Sequence, residues 1–296
     1  MKKRIDENEQ ENLIMPVPFI DGIEEIRNNL KFLTNSGEVT YGLEILDDAV
    51  GFIIPGSITL ICACPNVGKS LSAQIIANNI AKQGKKVLIC SCEMSAGQLM
   101  VREMVRTMGT SNRQLLQAYK HNRNQLNSYF DMLLDNKEYN YLRNILVLDI
   151  GDMHIDNLIK IFDMFKDYKY IIVDYVQSLK GDGDDERNQF KDISKKLKSY
   201  SLRNGVSIIE CAQIPKSNEN ENRTQKGIDF QKLKALGAGN WEQDADIVIK
   251  MAEELEEGIP YVLINLSKNR FEGLKFVTYK YTKTKRLNFK LESKGL

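Results

Sequence analysis

Short apolar runs alternate along this chain with longer stretches whose apolar residues recur every three or four positions. The runs 58–63, 86–92, 144–149, 170–174, 206–211, 246–251 and 261–267 predict strands. The helical period predicts helices over 70–83, 96–108, 112–119, 122–134, 155–167 and 187–203. Strands separated by helices imply a mostly parallel twisted sheet with helices packed on it, an α/β domain over 39–296. The stretches 275–281 and 285–291 read as a terminal β-hairpin. Ahead of the domain, residues 1–18 are polar, contain Pro16 and Pro18, and predict a flexible tail. Ile20, Ile23, Ile26, Leu30 and Leu33 predict a helix over 19–33, within a linker segment 19–38 broken at Asn35-Ser36-Gly37. Residues 214–240 are polar and rich in Asn, Lys and Gly, and predict a long loop of functional rather than structural use.

The most informative stretch is Ala63-Cys64-Pro65-Asn66-Val67-Gly68-Lys69-Ser70. It follows the apolar run Ser57 to Cys62 and precedes the helix that begins at Leu71. Strand, loop, then helix is the setting that a phosphate loop requires. Backbone N–H groups of the loop and of the helix N-terminus, across Cys64 to Leu71 apart from Pro65, would converge on phosphate oxygens. Gly68 lets the backbone approach the anion, Lys69 supplies a charge to the outer phosphates, and Ser70 offers a hydroxyl to Mg²⁺. The first position is Ala63 where the general pattern has Gly.

Other candidates stand at the ends of predicted strands, where a parallel sheet opens on its ligand crevice. Tyr170-Ile171-Ile172-Val173 would deliver Asp174 there, as a second Mg²⁺ ligand beside Ser70. Glu93 follows Val87 to Cys92 and would orient and deprotonate an attacking water; the alternative is a first-turn acid stabilising the next helix. Gln213 ends the run Val206 to Ala212, between the phosphate site and the polar loop, where an amide can sense a phosphate. Lys268 and Arg270 alternate beside a turn at Gly273, so their side chains share a face. They make an anion clamp that reaches a neighbouring subunit's site, or a solvated basic turn.

Composition changes this picture little. The net charge is +1, so a nucleic-acid surface would have to be local or use backbone amides. No apolar run approaches the roughly 18 residues of a membrane helix, and Met1 to Asn12 lacks a secretory apolar core. Cys62, Cys64, Cys90, Cys92 and Cys211 fall in or beside strand-like runs. A metal site at the two C-x-C pairs is conceivable, but reduced, buried thiols in a cytoplasmic protein are the better reading. His121 and His154 lie far from every motif and read as surface or structural residues.

Taken in order, these residues resemble the ATPase domain of DnaB-type replicative helicases, within the RecA-like superfamily. Gly42-Leu43-Glu44-Ile45-Leu46-Asp47, with Gly51-Phe52 and Pro55-Gly56, resembles the start of that family's core. Its phosphate loop also begins with Ala and carries Pro third. Ser91-Cys92-Glu93-Met94 resembles its S-L-E-M, Asp174-Tyr175-Val176-Gln177 its D-Y-L-Q, and Ala212-Gln213 its S-Q. Trp241-Glu242-Gln243-Asp244-Ala245-Asp246 resembles its I-E-Q-D-A-D, and Lys268-Asn269-Arg270 its K-x-R finger.

The resemblance implies a RecA-like P-loop NTPase core that uses ATP and Mg²⁺. It implies a homo-oligomer, a hexameric ring with ATP sites between subunits, which translocates 5′ to 3′ on single-stranded DNA and unwinds the duplex in replication. It makes Glu93 the catalytic base, Gln213 the sensor, Lys268 and Arg270 fingers supplied in trans, and Arg102 a nucleotide contact. The helix 19–33 resembles a linker helix that packs on the adjacent subunit. No counterpart of the family's helical collar domain is expected ahead of it, which puts primase coupling in doubt; a helicase loader is the other partner implied. Lys232-Leu233-Lys234-Ala235-Leu236-Gly237-Ala238-Gly239 stands where the family has D-L-R-x-S-G. Lys232, Lys234, Gly237 and Gly239 would there contact DNA phosphates. Two rivals keep the same core: a filament-forming recombination or repair ATPase, and an ATP-gated loader or scaffold that does not unwind.

Overall fold

Strand β1, Ile58–Ala63, is buried along its whole length and lies at the centre of the sheet. The computed structural model describes residues 38–296, apart from 123, 125, 126, 129, 132–134, 225, 226, 272–276, 285, 286 and 296. The predicted tail 1–18 and helix 19–33 therefore lie outside the described residues. Five further strands run parallel with β1: β2 (Val87–Ser91), β3 (Ile145–Asp149), β4 (Tyr170–Asp174), β5 (Ser207–Gln213) and β8 (Ile247–Glu256). The short β6 (Arg223–Thr224) and β7 (Gly227–Ile228) form a separate antiparallel ribbon.

The nine-stranded sheet has the order β11-β10-β9-β8-β1-β5-β4-β2-β3. β9 (Ile259–Asn269), β10 (Val277–Lys283) and β11 (Phe289–Lys294) continue it in antiparallel fashion. The antiparallel part thus begins earlier than the sequence pattern suggests. β8 and β9 are joined by Glu257-Gly258, both at positive φ (50° and 80°), a tight turn with no helix between the strands. The terminal hairpin is present, with its strands two to four residues later than predicted. Overlapping apolar and polar residues blur its ends.

The helices that position the site follow from their caps and apolar faces. Ile76, Ala77, Ile80 and Ala81 bury one side of α2 (Lys69–Lys82), which follows the short α1 (Glu44–Val50), against the sheet. Ser95 caps α3 (Ala96–Met108) in a capping box with Gln98, and Ser111 does the same for α4 (Asn112–His121) with Gln114. His154 caps α5 (Ile155–Met164) by accepting the Asp156 N–H on Nδ1 at 3.3 Å. α6 spans Glu186–Asn204 and ends at Gly205 in the left-handed region. In the predicted helix 122–134, residues 124, 127, 128, 130 and 131 are helical and the others lie outside the described residues or flank the helix.

The stretch 214–240 is more ordered than its composition suggests. It holds α7 (Lys216–Glu221), the β6–β7 ribbon and the start of α8 (Ala238–Asp244). Phe230, Leu233 and Ala235 are buried anchors, too widely spaced to register as a period. Beneath them Lys250 is only 2% exposed. Its Nζ donates to the Leu233 carbonyl at 2.7 Å and to Glu242 Oε2 at 3.2 Å, which ties loop, helix and β8 together.

All five cysteines are free thiols, four of them buried. Burial pushes the Cys62, Cys64 and Cys92 thiols up to about 12. Glu210, buried on β5, is likewise pushed up to about 8 by burial, then by nearby Asp244. Burial favours its neutral acid form, which avoids a naked charge in the core. No helix among the described residues is long and apolar enough to cross a membrane.

Candidate active site

The strand-to-helix turn after β1 forms the wall of an open cavity of about 480 Å³. Its residues have the geometry of an anion cradle. Gly68 stands at φ 125° and Asn66 at φ 67°, and Ser72 N–H already donates back to the Gly68 carbonyl at 2.9 Å as α2 begins. Gly68 is required twice over. A Cβ there would sit 2.9 Å from Phe289 Cζ, and side chains rarely adopt that φ. Lys69 is 9% exposed, with its Nζ 4.6 Å from the centre of the Tyr175 ring, which holds the ammonium over an aromatic face.

The structure brings most of the predicted nucleotide residues to this one cavity. Cys64, Pro65, Asn66, Gly68, Lys69, Ser70, Leu71, Glu93, Arg102 and Gln213 line it. Val67 is buried behind the loop. Asp174 is 7% exposed at the end of β4, and its Oδ1 is buried with no hydrogen-bond partner. Lys69 and Asp174 act with opposite sign on the Cys92 and Cys211 thiols, so both charges flank those residues at the sheet's C-terminal edge. A buried carboxylate oxygen without a hydrogen-bond partner, in reach of the same thiols as the Lys69 charge, fits a hydrated divalent cation.

Glu93 is exposed and faces the cavity. The reading of Glu93 as a first-turn acid does not hold: α3 begins at Ala96, Ser95 is its cap, and its first turn contains no acid.

Gln213 is fixed through its backbone. Gln177 Oε1 accepts the Gln213 N–H at 3.1 Å, while Gln177 Nε2 donates to the carbonyls of Gln213 at 3.2 Å and Leu236 at 3.3 Å. The Leu236 N–H also donates to the Gln213 carbonyl at 3.0 Å. One amide side chain therefore joins the cavity's strand end to the loop before α8. Gln177 belongs to the Asp174-Tyr175-Val176-Gln177 motif, but nothing in the local pattern assigned it this contact.

Lys268 and Arg270 lie away from the cavity and on one face, against residues 242–246 of their own chain. Lys268 Nζ donates to the carbonyls of Glu242, Gln243 and Ala245 at 2.7, 3.1 and 2.6 Å, closing the C-terminus of α8. Burial, then the neighbouring Arg270 charge, holds its ammonium below the ordinary lysine value. Arg270 pairs with Asp246 Oδ1 at 2.9 Å and keeps a side chain 49% exposed. Asp246 is otherwise engaged by Lys198 at 2.6 Å and by the Ile58 N–H at 2.9 Å.

Of the loop residues, Lys232 is 70% and Lys234 57% exposed, with Asp229 and Glu242 respectively as ion-pair neighbours. Gly237 stands at φ 73°, and a Cβ there would meet Phe190 Cδ2 at 2.4 Å and Trp241 Nε1 at 2.9 Å. Its small size serves packing around the fully buried Trp241. Gly239 faces open space, where a Cβ would meet no heavy atom within 4 Å.

A phosphate loop after the central strand, with acids and an amide at the ends of the neighbouring parallel strands, defines a P-loop NTPase core of RecA-like topology. The family description "DnaB-like helicase C terminal domain" matches residues 38–286, and the chain belongs to that family.

It is 29% identical over 217 residues to the replicative DNA helicase DnaB of Buchnera aphidicola, covering 71% of this chain and 45% of that protein. A probable plasmid replicative DNA helicase of Chlamydia muridarum is 28% identical over 236 residues, 77% of this chain and 49% of its own length. The chain thus spans about half the length of the curated relatives it matches. Among solved structures, a DnaB-like replicative helicase superposes with a TM-score of 0.69 at 20% identity, covering 93% of this chain and 67% of that one. At that identity the likeness is one of fold.

Proposed function

We propose that this chain is the ATP-hydrolysing motor of a replicative DNA helicase, working as a hexameric ring that moves 5′ to 3′ on single-stranded DNA. The observation that carries the reading is a single cavity lined by the phosphate loop, Lys69, Glu93 and Gln213, in a chain of the DnaB-like family. The loop amides and Lys69 bind and orient the polyphosphate. Ser70 and Asp174 would hold Mg²⁺, which when bound neutralises phosphate charge.

Glu93 takes a proton from water as the oxygen attacks the γ-phosphorus. The bond to the β-phosphate oxygen breaks, and ADP and phosphate leave. Gln213 senses the γ-phosphate and, through Gln177, passes its position to the loop at Leu236. Lys232, Lys234 and the amides near Gly237 and Gly239 meet the DNA backbone, and a ring brings several copies onto one strand. Arg270 is the finger offered to a neighbouring copy, because half of it remains exposed; Lys268 steadies the segment that carries it. Primase and a loader are the partners such a helicase would meet. A solved DnaB-like replicative helicase has been described together with its interactions with primase.

Steady-state ATP hydrolysis with and without single-stranded DNA, with mass measured on the same samples, tests the reading. Strong stimulation at a mass near that of a hexamer is expected. Hydrolysis that ignores DNA, by a monomer, favours the ATP-gated scaffold instead.

A further inference from the structure

A further cation in the cavity belongs to none of the motifs. Lys283, at the end of β10, lines the cavity and donates from Nζ to the Asn66 carbonyl at 2.6 Å. The contact joins residues 217 positions apart. Glu253 Oε2, at 3.8 Å, is close enough to pair with the charge but too far for a good hydrogen bond.

The geometry of the loop gives this contact a meaning. In an anion-binding concavity the N–H groups turn inward and the carbonyls outward. Asn66 is held at φ 67°, a conformation that non-glycine residues seldom adopt. Its carbonyl stands on an exposed part of the loop, and Lys283 engages it with a charge-assisted bond. Two residues of the same hairpin hold Lys283 in place. Tyr281 is fully buried and accepts the Ile45 N–H at 3.3 Å. The Phe289 ring lies 5.8 Å from the Tyr281 ring, tilted by 58°, and rests its end on Gly68. The hairpin is thus anchored in the core and touches the phosphate loop on both sides of Val67.

We propose that Lys283 is a positioning residue of the nucleotide site, fixing the phosphate loop from the C-terminal hairpin of the same chain in the shape that receives a polyphosphate. The inference rests on the nucleotide-site reading above. A loop set before binding favours nucleoside diphosphate and triphosphate alike, so the effect falls on affinity and not on the chemical step. Burial lowers the ammonium's pKa, and an anion in the cavity offsets that cost.

The test is titration of Mg²⁺ with ATP, and of a fluorescent ADP analogue, against wild type, Lys283→Met, Lys283→Gln and Lys283→Arg. Methionine keeps the apolar stem and removes only the ammonium. Both uncharged variants are expected to bind each nucleotide about tenfold more weakly, with KM raised in step and kcat within about twofold. Arginine regains most of the affinity. Wild-type affinity in either uncharged variant, or a fall in kcat at unchanged KM, overturns the role of Lys283. Failure of the wild-type protein itself to bind nucleotide overturns the site reading instead, so the two failures are distinct.

Discussion

Glu93→Gln protein is expected to bind ATP with near-normal affinity and to hydrolyse it about 10²- to 10⁴-fold more slowly, the range of a positioned general base. Glu93 is exposed on the cavity wall, outside α3, and makes no capping contact there, so its exchange costs the fold little. Glutamine keeps the shape and the hydrogen bonds but cannot accept the water's proton. Single-turnover hydrolysis beside a nucleotide-binding titration separates the two effects. Loss of binding with hydrolysis would make Glu93 a structural residue.

Arg270→Ala is expected to cost more, about 10³- to 10⁵-fold in kcat, if its guanidinium is the finger of a neighbouring site. Its partner Asp246 keeps Lys198 at 2.6 Å and the Ile58 N–H at 2.9 Å, so the buried carboxylate is not stranded. Nucleotide binding by the isolated subunit is therefore retained. Mixing inactive Arg270→Ala with inactive Glu93→Gln then restores part of the hydrolysis. A mixed interface in which the first supplies Glu93 and the second supplies Arg270 is complete. Mixed assemblies that form but stay inactive would assign Arg270 to its own chain's Asp246 and nothing more.

The parts of this fold that local pattern reveals are those built locally. β1 at Ile58–Ala63 and β4 at Tyr170–Asp174 occupy the residues predicted for them, because each is a continuous apolar run buried on both faces. The phosphate loop, Glu93 and Gln213 were legible because the end of each parallel strand opens on one crevice. Arg102 reached the same cavity by family resemblance, since a helix residue carries no such positional signal.

What local pattern hides is joined across long separations. Lys283 meets Asn66 from the far end of the chain, and Gln177 meets Leu236 from 59 positions away. Neither residue differs locally from an ordinary polar side chain at a strand or turn end. The order within 214–240 was hidden for another reason. Leu233 and Ala235 bury themselves singly, with Lys250 closing the space beneath them, and one buried residue makes no period. Lys268 shows the limit of spacing arguments. Alternation does put it on the face of Arg270, but its ammonium is spent on three carbonyls at the end of α8.

Strand separation on forked DNA tests the central claim most directly. Two forks of the same duplex sequence, one with a free 5′ arm for the motor to load on and one with only a free 3′ arm, are given to the protein with ATP and Mg²⁺. The account predicts displacement of the labelled strand from the 5′-armed fork, none with a non-hydrolysable ATP analogue, and none from the 3′-armed fork. ATP hydrolysis that is stimulated by single strands yet leaves both forks intact would contradict it.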